Sequence, residues 1–130
     1  MKTYCLLNHT LTEAQLAELK ERYHSIRVVY PPVDISAAWS QLPPGLSYDT
    51  NTIRSVISWL DVAETGDTVI LQGEAGSTFI LVDYLLSRGL VPLHAVTRRV
   101  SSESNEGEDV KKSLVFRHVC FRPYCRLSDL

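Results

Sequence analysis

The sequence predicts an α/β domain built on a mainly parallel sheet. Three apolar runs, Thr3–Leu7, Ile26–Tyr30 and Thr68–Leu71, are typical of buried strands, and helical patterns separate them. A strand, a helix and a strand in such a short stretch require a right-handed crossover and therefore parallel pairing. We predict a single Rossmann-like domain over residues 1–130, with helices on the sheet and an antiparallel C-terminal edge strand or hairpin.

Three helices carry recognisable sequence signals. Thr12 and Gln15 form a Thr-x-x-Gln capping box that begins the first helix, and Asp49 or Thr50 caps a later one. The segment Phe79–Leu86 is apolar nearly all round, so it needs cover on two sides. The sheet can supply one side, and a second subunit the other, which predicts a homodimer.

The C-terminal part predicts strands and one loop. Val91–Val100 has the apolar content of a strand, and Val110–Tyr124 alternates enough to be one or two strands. Ser101–Asp109 is polar and acidic without periodicity, so we expect a mobile loop there. Such a loop beside a ligand site could close over it as a lid.

Charge and cysteine content limit the class of protein. The formal net charge is −2, yet residues 110–126 hold five Lys or Arg and no acid, which suits a small polyanion better than duplex nucleic acid. The three cysteines fit no zinc pattern, and Cys5 has the setting of a core residue. We therefore expect no metal and no cofactor. Without a signal peptide or a membrane span, a cytoplasmic protein with no membrane partner is expected.

The loop Gln72–Thr78 is the strongest candidate for ligand binding. Gly73 and Gly76 would let a ligand approach the backbone, and the amides of Ser77 and Thr78 at a helix start would favour an anion. Glu74 would suit a ribose hydroxyl or a base amino group better than a phosphate. The alternative is an ordinary strand-to-helix turn with Ser77 as the N-cap.

Two further segments are expected to lie at the same edge of the sheet, Asn8-His9 and Thr97-Arg98-Arg99. The two arginines offer bidentate forks for phosphate, although neighbouring strand residues face opposite ways, so only one can face a given site. They could also be solvated edge residues.

Histidines and a tryptophan complete the candidates. His9 and His118 are the candidates for proton transfer. The simpler alternatives are that His9 is a loop histidine bonded to backbone and that His118 is an ordinary strand histidine. Trp39 could stack on a base, although core packing is the simpler explanation.

Short motifs along most of the chain resemble a small family of CRISPR-associated proteins related to CARF domains, the Rossmann-like nucleotide sensors of type III CRISPR systems. The motifs are Tyr4–Thr12, Trp39 with its following proline turn, Gly66–Thr78, Val96–Arg99 and the segment Phe116-x-His118-x-x-Phe121-Arg122-x-Tyr124. Such proteins are similar to ring nucleases, which bind cyclic tetraadenylate across a homodimer and cut it.

The resemblance implies a ring nuclease that cleaves cyclic oligoadenylate by metal-independent attack of a ribose 2′-OH. Arg98 or Arg99 would stabilise the phosphate, and His118 or His9 would assist proton transfer. The implied ligand-binding residues are Asn8, Gln72, Gly73, Glu74, Gly76, Ser77, Thr78, Thr97, Arg122 and Trp39. A non-catalytic sensor or sequestering module for the same ligand stays open. A Rossmann-like protein that binds a flavin or sulfonium cofactor is a third, weaker alternative.

Overall fold

The computed structural model describes residues 1–7 and 9–130, in which five strands form one sheet. The predicted α/β class, with a mostly parallel sheet flanked by helices and an antiparallel edge, is confirmed. The strands are β1 (Lys2–Leu6), β2 (Arg27–Val29), β3 (Thr68–Leu71), β4 (Val91–Glu106) and β5 (Asp109–Pro123). The α-helices are α1 (Glu13–Tyr23), α2 (Val33–Ser40), α3 (Thr50–Trp59) and α4 (Ala75–Ser87), and short 3-10 turns cover Leu60–Val62 and Leu127–Asp129.

The strand order β2-β1-β3-β4-β5 creates a switch point between β1 and β3. β1 pairs in parallel with β2 on one side and with β3 on the other, and β3 pairs in parallel with β4. The connections after β1 and β3 therefore leave in opposite directions, and a crevice opens at the carboxyl ends of these two strands. This crevice is where the fold favours a ligand.

Each face of the sheet has its own apolar core. On one face, Tyr4, Leu6, Val69 and Leu71 pack against α2, α3 and α4. On the other face, which we call the α1 face, Cys5, Ile70, Leu93 and Phe121 pack against Leu11 and Leu19 beside and within α1. The prediction that Cys5 is a core residue is confirmed, and burial raises the pKa of its thiol to about 11.

The predicted helix starts of α1 and α3 are confirmed. The capping box of Thr12 and Gln15 is complete, since each side chain accepts the backbone N–H of the other residue. At α3 the cap is Asp49, whose carboxylate accepts the backbone N–H of Thr52 at 3.0 Å and its hydroxyl at 2.8 Å. These two hydrogen bonds, the backbone one first, hold the pKa of Asp49 below its usual value.

Replacing Asp49 by alanine is expected to lower the free energy of unfolding, because the N-cap of α3 is lost. Because the folded protein holds the pKa of Asp49 low, this contribution is present above the unfolded pKa and is lost as the pH falls through the folded pKa. Urea unfolding across the acidic range measures it. Asp49→Asn should keep most of the cap and remove its pH dependence, and equal loss in both variants would contradict the role of the cap.

The expected mobile loop at Ser101–Asp109 is wrong, because β4 continues to Glu106 and β5 begins at Asp109. The two strands pair from Leu93↔Pro123 out to Glu106↔Asp109, with one register shift between Val96 and Thr97, and Gly107 and Glu108 form the turn. Gly107 has a φ of 65°, a conformation that glycine adopts without strain. The side chains that the structure describes in this part of the ribbon are exposed, so burial does not require apolar and polar residues to alternate there.

Helix α4 buries one side, with Leu81 and Leu85 inaccessible beneath the sheet face, and exposes Phe79 on the other. Helices α2 and α3, which share a core with α4, cover part of its apolar surface. In the described ranges 1–7 and 9–130, no helix has the length and apolar content that crossing a membrane requires.

Candidate strand-end binding site

A pocket of about 570 Å³ lies at the carboxyl ends of β1 and β3 and against the α1 face of β4 and β5. We call it the strand-end pocket. Five of its lining residues are among those that the sequence indicated: His9, Gln72, Gly73, Thr97 and His118. The other lining residues are Leu7, Thr12, Gln15, Ala95 and Phe116. Four segments far apart in the sequence thus meet at the switch point, where the fold favours a ligand.

Gln72 joins the end of β3 to its neighbours. Its side-chain oxygen accepts the backbone N–H of Ala95 at 2.9 Å, just beyond the last β3–β4 pair. Its backbone carbonyl accepts the indole N–H of Trp39, also at 2.9 Å. The carbonyl of Leu71 accepts the hydroxyl of Tyr124 at 2.7 Å. These bonds fix the direction in which the chain leaves the sheet.

Trp39 is a positioning residue of this loop and is not placed to stack on a base. Its side chain is 4% exposed and belongs to the core that α2, α3 and α4 share. A Cβ atom at Gly73 would lie only 2.7 Å from the Trp39 indole nitrogen, so a glycine is what lets the loop pass over the ring. The expectation of a ligand-stacking Trp39 is wrong for this conformation because the ring has no free face.

The amides of Gly76, Ser77 and Thr78 at the start of α4 are already bonded within the protein. Glu74, and not Ser77, is the N-cap: its carboxylate accepts the backbone N–H groups of Gly76 and Ser77 and the Ser77 hydroxyl. Ser77 and Thr78 are buried. The anion that the helix dipole favours is therefore already present as a side chain of the protein. The expected phosphate site at Gly73, Ser77 and Thr78, with Glu74 turned toward a ribose or a base, is not formed in this structure, although Gly73 lines the strand-end pocket.

The neighbouring arginines face opposite sides of the ribbon. Arg99 of β4 lies directly opposite Phe116 of β5, a residue that lines the pocket. The guanidinium carbon of Arg99 lies 5.6 Å from the centre of the Phe116 ring. Arg98 pairs with Arg117, and alternation along the strand places it on the far side. Arg99 is thus the pocket-side arginine. Both arginines are exposed, and no carboxylate among the described residues pairs with either.

His118 is held by α1. Its Nε2 lies 2.8 Å from a carboxylate oxygen of Glu18, whose other oxygen accepts the backbone N–H of Phe121 at 2.6 Å. The Nδ1 atom of His118 is buried and has no hydrogen-bond partner among the described residues. The ring therefore lines the pocket while neither nitrogen is free for a ligand. This does not match the expected proton-transfer role, although it makes His118 a link between α1 and β5.

His9 is the exposed histidine of the pocket. Its Nδ1 lies 3.0 Å from the backbone carbonyl of Thr10, which can accept the ring N–H. In that tautomer Nε2 carries the lone pair and is the atom that can accept a proton. The neighbouring candidate Asn8 lies outside the described residues.

Arg122 is not brought to the pocket. It lies across from His94 in the β4–β5 ladder, and its Nε lies 3.3 Å from Nε2 of that ring. Partial burial first, and the Arg122 charge second, lower the pKa of His94, which favours the neutral ring that can accept this hydrogen bond. Alternation along β5 puts Arg122 on the face opposite Phe121 and the pocket.

Sequence analysis missed two residues of the site, Glu18 and Phe116. Glu18 lies one position before the buried Leu19, and no local pattern shows that β5 will pack beside it. Phe116 lies in an exposed ribbon without a burial pattern, and its only signal in the sequence is its place in the motif that begins Phe116-x-His118. No group of three His, Cys, Asp or Glu residues suited to a metal ion occurs in the part of the chain that is described.

Replacing Glu18 by glutamine is expected to lower the free energy of unfolding by about 1–3 kcal/mol, since a charge-assisted acceptor shared by two partly buried groups is lost. Glu21 lies exposed on the same helix and provides the matched control as Glu21→Gln. Chemical unfolding of both variants measures the difference. Equal stability of the two variants would show that the Glu18 carboxylate does not link α1 to β5.

A larger cavity of about 760 Å³ lies on the opposite side, between α4 and the C-terminal segment. It shares Gln72 and Gly73 with the strand-end pocket, and Phe79, Val82 and Leu86 give it a mostly apolar wall. The strand-end pocket holds the exposed His9 and has the unpaired Arg99 beside it, whereas Arg126 of the larger cavity pairs with Asp83, so the strand-end pocket is better suited to a phosphate ester.

The comparison with known proteins identifies one family for this chain. The protein named "Uncharacterized protein MJ1673" from Methanocaldococcus jannaschii is 25% identical over 124 residues, which span 95% of this chain and 96% of that protein. No solved structure matches the chain. The model of the uncharacterized protein MJ1673 family matches residues 1–122, and the chain therefore belongs to that family.

Proposed function

We propose that this protein is a cytoplasmic ring nuclease that binds cyclic oligoadenylate, most favourably cyclic tetraadenylate, as a homodimer and cleaves it. The proposal has its origin in the motif resemblance, and one structural observation supports it most. An exposed histidine, His9, shares a pocket at the switch point with Thr97 and Gln72, and an unpaired arginine, Arg99, stands at its edge. A base, polar groups and a cation at one site suit a phosphodiester.

The proposed reaction uses the nucleotide's own 2′-hydroxyl as nucleophile. The 2′-oxygen bonds to the adjacent phosphorus, the bond from phosphorus to the 5′-oxygen breaks, and the products are a 2′,3′-cyclic phosphate and a 5′-hydroxyl. Nε2 of His9 takes the proton from the 2′-hydroxyl, a contribution of about 10²–10⁴-fold in rate. Solvent returns a proton to the 5′-oxygen. The Arg99 guanidinium stabilises the charge that develops on the phosphate.

The remaining pocket residues hold the ligand in place. Phe116 is 61% exposed at the pocket and offers a ring face for an adenine, while Arg99 stays within cation–π distance of the same ring. Thr97 and the Gln72 amide supply polar groups for ribose or base. His118 acts here as a positioning residue, since Glu18 holds it. A two-fold dimer would match the symmetry of a ring with four phosphates.

One observation favours a non-catalytic module instead. Both nitrogens of His118 are engaged or buried, which leaves His9 as the only free imidazole among the described pocket residues. A site with one proton-transfer group could bind the cyclic oligoadenylate tightly and cut it slowly or not at all. Such a protein would sequester the signal or pass it to a partner.

Radiolabelled cyclic tetraadenylate incubated with the purified protein in excess EDTA distinguishes the two functions. Linear products that end in a 2′,3′-cyclic phosphate support the nuclease, and His9→Ala should slow their formation without abolishing ligand binding. Tight binding with the ring intact after hours supports the module. Neither binding nor cleavage, with a folded protein, would reject both.

A further inference from the structure

β4 and β5 extend well beyond the rest of the sheet. β3 accompanies β4 only as far as Leu93, whereas the β4–β5 ladder continues from Arg98↔Arg117 to Glu106↔Asp109. We call this two-stranded segment, residues 98–117, the arm. At about 3.4 Å per residue it is roughly 30 Å long. A lone two-stranded ribbon is only marginally stable in water, and both of its edges are free for pairing.

One face of the arm carries an exposed apolar stripe. Cross-strand pairing and alternation place Val110, Leu114 and Phe116 on the same side as Thr97, and their side chains are 58%, 54% and 61% exposed. The pair Lys112–Glu103 lies between Val110 and Leu114 on that face, 3.7 Å apart. This stripe joins the strand-end pocket at Phe116. Three large exposed apolar side chains on one face, interrupted by a single ion pair, are a typical feature of an interaction surface.

The two ends of the arm carry opposite unpaired charges. At its base lie Arg99, on the face of the stripe, and the pair Arg98 and Arg117, on the opposite face; none of the three has an acidic partner among the described residues. At its tip lie Glu108 and Asp109, which have no basic partner in that same part of the chain. A partner that complements both ends must be acidic at one end and basic at the other, and a second arm laid antiparallel satisfies this.

We infer that the arm is a self-association surface, on which the arms of two copies pack face to face and antiparallel about a two-fold axis. In that arrangement the axis passes near Ser113, because Phe116 and Val110 lie three residues to either side of it. Phe116 of each copy then contacts Val110 of the other, and the acidic tip of each copy lies opposite the end of the other arm that presents Arg99 on the face of the stripe. The tip of the second copy reaches the rim of the strand-end pocket, where Phe116 lies. The inference does not depend on the proposed nuclease activity.

Leu114→Lys is the sharpest test because it adds a charge to the middle of the stripe and leaves the sheet core untouched. Phe79→Lys, on the exposed side of α4 and 74% exposed in the wild type, is the matched control for a competing dimer interface. Sedimentation velocity over a concentration series gives the dimer Kd of each protein. We expect Leu114→Lys to raise the Kd at least tenfold, Phe79→Lys to leave it unchanged, and added salt to weaken the wild-type dimer.

A second variant excludes a local effect of the lysine. Replacing residues 102–113 by a two-residue Asn-Gly turn shortens the arm and keeps the pair Ser101↔Leu114 as its new end. This shortened protein should be monomeric with an unchanged thermal unfolding midpoint. A wild-type protein that is monomeric at high concentration, or a dimer Kd that neither variant alters, would overturn the inference.

Discussion

Replacing Arg99 by alanine is expected to lower the single-turnover rate of cyclic tetraadenylate cleavage by about 10²–10³-fold, as removal of a group that stabilises transition-state charge does. Arg99 faces the strand-end pocket beside Phe116, and no carboxylate of the described chain neutralises it. Arg99→Lys should recover part of the rate, because it keeps the charge and loses the bidentate fork. Quenched-flow measurement with enzyme in excess separates this step from product release.

Arg98 is the matched control for this prediction. It is the adjacent residue, equally basic and exposed, yet it lies on the opposite face of the ribbon against Arg117. Arg98→Ala should change the cleavage rate only a few-fold, about the effect of a screened charge at a distance. Equal losses from both substitutions would mean that bulk charge matters and that the face of the strand does not. A larger loss for Arg98→Ala than for Arg99→Ala would mean that Arg98, and not Arg99, stabilises the phosphate.

Replacing Trp39 by alanine is expected to destabilise the protein by about 3–5 kcal/mol, the cost of removing a large core aromatic. The side chain is 4% exposed and packs in the core that α2, α3 and α4 share, and its indole N–H donates to the Gln72 carbonyl. The Gln72–Gly73 loop loses its support in the same step, so ligand binding should fall along with stability. Chemical unfolding and ligand titration of the same preparation measure both.

Trp39→Phe separates packing from the hydrogen bond. It keeps much of the apolar volume and leaves the Gln72 carbonyl without the indole N–H, so a loss of about 1–3 kcal/mol is expected. A stacking role for Trp39 predicts a different pattern, in which alanine abolishes binding and leaves stability intact. That pattern would contradict the buried position of the ring.

The order of elements and the region of the site could be predicted because local signals specify them. The capping box at Thr12, the cap at Asp49 and the uniformly apolar β3 each depend on residues close in the sequence, and strand order then brings His9, Gln72 and Thr97 together. The alternation argument also holds for Arg98 and Arg99, which face opposite ways.

The failures share a physical cause, since each concerns a choice that the local sequence leaves open. Glu74 and Ser77 are both competent N-caps, and the backbone path out of β3 selects the carboxylate. The polar run Ser101–Asp109 becomes a strand because β5 supplies its hydrogen bonds, without any buried face to impose a pattern. The bond between Glu18 and His118 joins residues a hundred positions apart, so no window of the sequence contains both.

A crystal structure with cyclic tetraadenylate in which the attacking 2′-hydroxyls are replaced by hydrogen tests the central claim most directly, because that ring can bind and cannot be cut. The account predicts a phosphate within hydrogen-bond distance of the Arg99 guanidinium, with Nε2 of His9 on the side of the missing hydroxyl and an adenine against Phe116. A ring seated in the groove between α4 and the C-terminal segment, with the strand-end pocket empty, would contradict it.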